Sequence, residues 1–159
     1  MTYAAGTTVS VDRSKNELDA ILGKHKATQR GVMTDDDAGM ALVVFTLDAR
    51  QYRLEVPLPK RGDFATKPAR HRYGYPIKLT PERQRKAHDQ ACRERWRAVV
   101  LLVKAKLELV AIGVSTVERE FLADLVLPNG ARVHAALFDG IKRAYETGTM
   151  TPLLGTGGP

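Results

Sequence analysis

Apolar residues recur three and four positions apart in "SVDRSKNELDAILGKH" (residues 10–25), where Leu18, Ile21 and Leu22 share one face. That spacing predicts an amphipathic helix. Ser14 followed by Glu17 reads as a capping box, and Thr28 and Gly31 disfavour continuation beyond His25. The period then changes to two. "TQRGVMT" reads as a weak strand, "DDDAG" as a polar turn, and "MALVVFTL" as the central strand, apolar on both faces. "DA" at 48–49 makes a tight connection to "RQYRLEVPL", which alternates cleanly: Tyr52, Leu54, Val56 and Leu58 on one side, Gln51, Arg53 and Glu55 on the other. Pro57 and Pro59 stop that strand.

Residues 60–79 show neither period, and Gly62, Pro68, Gly74 and Pro76 interrupt them, so they read as a loop. A long helix follows, with Thr80 as N-cap, Pro81 at the first helical position and Gly113 at the end. Its second half is apolar nearly all round and must lie on the sheet or against another subunit. "STVEREFLADLVL" opens with a second capping box at Ser115 and Glu118, "LPNGARV" is a turn or small hairpin, and "HAALFDGIKRAYETG" is a last helix ending at Gly148. The expected fold is α+β: an N-terminal helix, a three-stranded antiparallel sheet, a long basic helix packed on it, then short C-terminal helices and a hairpin. Residues 14–150 form the single domain, with a flexible lead at 1–13 and a flexible tail at 151–159.

Composition adds little to this picture, and charge adds much. A chain of 159 residues with 43% hydrophobic and 27% charged content suits one ordinary domain. The lone Cys92 fits a reducing compartment; the longest apolar run, 98–103, is too short to cross a bilayer, and no leader is evident, so a cytoplasmic protein is expected. The net charge of +7 is concentrated: residues 60–97 hold twelve Lys/Arg against four Asp/Glu, whereas the rest of the chain holds thirteen against fourteen. Localised basic charge is the electrostatic footprint of a polyanionic partner.

Catalytic signatures are missing. There is no phosphate-binding glycine loop, no HExxH and no CxxC. His88 and Cys92 stand one helical turn apart but supply only two ligands, and Asp35, Asp36 and Asp37 suit a turn better than an ion site. Glu118, Glu120 and Asp124 would be the first acids to test for a dispersed, metal-dependent site. The expectation is a protein that is not an enzyme and uses no metal or cofactor.

The basic segment itself has two parts. Lys60, Arg61, Lys67, Arg70, Arg72 and Lys78 interleave with Phe64, Tyr73 and Tyr75 in the loop. Cations follow a phosphate backbone while aromatic rings stack on unpaired bases, a combination suited to single strands. The helix adds Arg83, Lys86, Arg93, Arg97 and Lys104, four of which (Lys86, Arg93, Arg97, Lys104) share one face. Glu82–Lys86 and Asp89–Arg93 are spaced as i,i+4 ion pairs, and Trp96 reads as core. The candidate nucleic-acid contacts are thus Lys60, Arg61, Lys67, Arg70, Arg72, Arg83, Lys86, Arg93 and Arg97, with Tyr73 and Tyr75 stacking.

Two long stretches, "SKNELDAILGKHKA…ALVVFTLDARQYRLEVPLP" and "RERWRAVVLLVKAKLELVAIGVSTVEREFLADLVLPNGARV…IKRAYETGTMTPLL", resemble a family of small phage- and prophage-encoded proteins without an assigned activity. The resemblance implies a bacterial host cell and an association with replication and recombination genes. The order of elements is similar to the core of single-strand annealing proteins of the RecT and Red-beta class, which assemble into rings or filaments and hold single-stranded DNA in a basic groove. The expectation that combines these is a phage-encoded, single-stranded DNA- or RNA-binding protein, an annealing or recombination accessory that forms a homo-oligomer. The alternative is a non-enzymatic module that binds an acidic host or phage protein or assembles with itself.

Overall fold

Ser10, and not Ser14, opens the first helix. In the computed structural model, which describes residues 3–67 and 74–150, helix α1 spans Val11–Lys24 and the Ser10 hydroxyl accepts from the Arg13 N–H at 3.2 Å. Ser14 lies one turn inside, fully buried, and its hydroxyl has no hydrogen-bond partner. The helix therefore begins three residues before the expected domain boundary, and Ala4 ahead of it is also buried. The stretch 68–73 and the expected tail at 151–159 lie outside the described residues.

The three strands follow the predicted order. Thr28–Asp35 (β1), Met40–Leu47 (β2) and Arg50–Pro57 (β3) form an antiparallel sheet with β2 in the centre. Val43 pairs with Leu54 and Phe45 with Tyr52, so the alternation places Ala41, Val43, Phe45, Tyr52, Leu54 and Val56 on one buried face. The other face of β2 (Met40, Leu42, Val44) is only half-buried, so the strand expected to be covered on both sides is fully covered on one. Asp48 and Ala49 both take positive φ, 47° and 59°, the geometry of a two-residue turn whose twist matches the flanking strands.

Helix α2 runs over 31 residues, Pro81–Ala111, with the Thr80 hydroxyl capping the Arg83 N–H. Trp96, Val100, Val103 and Leu107 recur at helical spacing and bury against the sheet and against Leu18 and Leu22 of α1. Each such side chain contributes about 1.5–3 kcal/mol by leaving water. Under the far end of α2, Phe45 and Tyr52 stack at 5.4 Å and Phe121 meets Phe45 edge-on at 5.4 Å. Phe121 ends the short helix α3, Val117–Phe121, whose cap is Thr116 (accepting from the Arg119 N–H) and not the predicted Ser115. A small turn around Gly130 pairs Val126 with Arg132, and α4, Val133–Thr147, ends at left-handed Gly148 as expected. Among the described residues no helix is long and apolar enough to cross a membrane.

Candidate nucleic-acid interface

The stretch expected to be a featureless loop carries local structure. A 3-10 turn at Arg61–Phe64 is closed by Asp63, whose carboxylate accepts the Lys60 N–H at 3.2 Å. Two short strands, Thr66–Lys67 (β4) and Ile77–Lys78 (β5), then pair antiparallel. Side chains from the start of α2 pin this arm down. Gln84 Nε2 donates to the Leu79 carbonyl (2.8 Å), His88 Nε2–H donates to the Pro59 carbonyl (3.0 Å), and Phe64 packs edge-on against the His88 ring at 5.9 Å. Phe64 is thus an anchor of the arm, while Tyr75 is 91% exposed.

This arrangement gathers cations. Lys60, Arg61, Lys67 and Lys78 of the arm and Arg83, Arg85 and Lys86 of α2 are all exposed. A groove of about 550 Å³ between arm and helix is lined by Asp63, Phe64, Thr66, Lys67, Leu79, Arg83 and Ala87, so one acid stands beside its two cations. A second hollow brings Arg61 beside Arg85 across Pro81 and Gln84. Of these cations only Lys86 is in an ion pair among the described residues, with Glu82 at 2.9 Å; both are largely solvated, so the pair is weak. Arg85 was not among the expected contacts. Its signal was its position in the first two turns of α2, where exposure follows from the helix end and not from one face.

Further along α2 the expected basic face dissolves. Arg97 Nη1 is held by Glu17 of α1 at 2.6 Å. Arg93 does not pair with Asp89; its Nε and Nη2 donate to Gln90 Oε1 at 3.1 and 2.6 Å, and Asp89 lies 3.5 Å from His88 Nδ1. Lys104 is exposed but about 27 Å along the axis from Lys86. Trp96 is buried, as expected. Arg70, Arg72 and Tyr73 lie outside the described residues.

The candidate acids Glu118, Asp124 and Asp35 pair with arginines or backbone. Glu118 pairs with Arg50 at 2.7 Å, Asp124 faces Arg132 at 3.7 Å, and no cluster of three or more His, Cys, Asp or Glu among the described residues is placed to hold an ion. Asp35 accepts the Ala38 N–H at 2.8 Å, closing the β1–β2 turn. Burial pushes the Cys92 thiol up, which disfavours the reactive thiolate. Comparison of the chain with protein-family models, with curated proteins and with solved structures finds no match.

Proposed function

We propose that the protein binds single-stranded nucleic acid without catalysis, through the arm and the first two turns of α2, as an accessory to annealing or recombination. The observation that carries this reading is the pairing of six exposed cations without acidic partners among the described residues (Lys60, Arg61, Lys67, Lys78, Arg83, Arg85) with an exposed Tyr75 on the same arm. Cations spread over a strand–helix junction follow a flexible backbone, and an exposed ring offers a stacking platform that an already stacked duplex cannot use.

Anisotropy of labelled single-stranded and duplex oligonucleotides, titrated from about 50 to about 300 mM salt, tests it. With about −0.7 per contact on a single strand, phosphate contacts from all of these cations give a slope of about −4 in log K against log salt. Arg61→Ala, Arg83→Ala and Arg85→Ala each lower that slope. Absence of binding at the lowest salt, or binding indifferent to all three substitutions, overturns the reading and leaves an acidic protein as the partner for this charge.

A further inference from the structure

The side of α2 turned away from the core is not the polar surface that a solvated helix presents. Ala91, Arg95, Ala98, Leu102, Ala105, Leu109 and Ile112 follow one another at steps of four and three, a heptad seam about 32 Å long. It lies opposite the buried Trp96–Val100–Val103–Leu107 face. Leu102, Leu109 and Ile112 are 50%, 38% and 62% exposed, and Ala98 and Ala105 are exposed as well. Toward the N-terminal end the seam becomes the floor of a groove of about 680 Å³, with Tyr3 and Ala4 on one wall and Phe64 on the other.

We infer that this seam is the interface of a homodimer, in which α2 of a second copy lies antiparallel along it. The pattern is self-complementary in that orientation alone. One heptad position carries Arg95, Leu102 and Leu109, and the other carries Ala91, Ala98 and Ala105 before Ile112. Antiparallel helices bring the two positions face to face, so each Leu of one copy enters the space above an Ala of the other, at a constant and close separation. Parallel helices would stack Ala on Ala, Leu on Leu and Arg95 on Arg95.

A two-fold axis crossing the seam between Val103 and Lys104 keeps this register: Leu102 of each copy lies over Ala105 of the other, and Leu109 over Ala98. Arg95, also exposed, is held at the seam's edge by a 2.8 Å bond to the Pro57 carbonyl. The interface lies on a different side of α2 from the phosphate-facing cations Arg83 and Lys86, and it stands whether or not the protein binds nucleic acid.

Light scattering and sedimentation equilibrium of the free protein, in the tens of micromolar, test the inference. The expected particle has twice the 17.5 kDa chain mass. Leu102→Glu produces a monomer with an unchanged circular dichroism spectrum. Ala105→Phe, at an exposed position that Leu102 of the other copy covers, weakens the dimer about tenfold, because the added ring holds the two helices apart. A monomeric wild-type chain overturns the dimer. A dimer indifferent to Leu102→Glu moves the interface elsewhere and overturns the seam. Should Leu102→Glu fail to fold, Ala105→Phe at its exposed position decides alone; a dimer indifferent to it overturns the antiparallel register.

Discussion

Arg97 of α2 and Glu17 of α1 meet at 2.6 Å, with side chains 24% and 33% exposed, so a residue that belongs to a basic helical face by spacing acts as a clasp between two helices. The clasp satisfies a guanidinium that the α1–α2 packing has partly withdrawn from water. Arg97→Ala should cost about 1 kcal/mol in urea-induced unfolding, since it leaves Glu17 half-buried and unpaired. It should leave oligonucleotide affinity and its salt slope unchanged. A slope reduced by about 0.7 would return Arg97 to the interface.

Tyr75 is the exposed ring among the described residues of the arm, and its contribution separates stacking from charge. Tyr75→Ala should weaken single-strand binding by about 1–3 kcal/mol without altering the salt slope, because no cation is lost. Tyr75→Phe should retain the affinity, since stacking uses the ring and not the hydroxyl. Equal losses in the two variants, followed by anisotropy, would assign the tyrosine a polar contact.

The contrast between Arg97 and Arg83 shows what the sequence made legible. Strand alternation in β3, the Thr80–Pro81 start of α2 and the Gly148 stop are written in neighbouring residues, so the three-stranded sheet and the long helix could be read directly. Arg83, Arg85 and Lys86 stay at the surface because they occupy a helix end. The partner of Arg97 stands 80 positions away in the chain, and local spacing has no access to it. The same holds for α2 as a whole. Its apolar second half was visible, but only the packed structure separates the face that meets the sheet from the seam on which Leu102, Leu109 and Ile112 stay exposed.

Ser10 and Ser14 illustrate a failure of a different kind, in which two candidate caps sit one turn apart. The cap hydroxyl of Ser10 satisfies an N–H that would otherwise lack a partner, so Ser10→Ala should destabilise the protein by about 1 kcal/mol. Ser14 is buried inside the helix with an unpartnered hydroxyl. Ser14→Ala removes that group and improves helix propensity, and should stabilise by about 1 kcal/mol. Thermal unfolding of both variants decides: if Ser14→Ala is the harmful substitution, α1 starts at the later serine.

Asp124 sets a pH dependence. It is half-buried near Arg132, and burial raises its carboxyl above the usual range, with Lys106, Arg132 and His134 pulling it back only in part. The folded state therefore holds this proton more tightly than the unfolded chain, whose carboxyl titrates near about 3.9. Stability from this group is fully present below that value and is lost as the pH rises through the folded value. At neutral pH the ionised carboxylate is thus a net cost. Asp124→Asn should raise stability at neutral pH, while Arg132 keeps its 2.5 Å bond to Glu55. The gain should shrink toward zero below about pH 4, where the wild-type carboxyl is protonated as well. Urea unfolding of both proteins at neutral and acidic pH measures the difference; a loss at neutral pH would mean that the Arg132 contact outweighs desolvation at this position, and a gain of equal size at both values would mean that ionisation of the carboxyl is not its source.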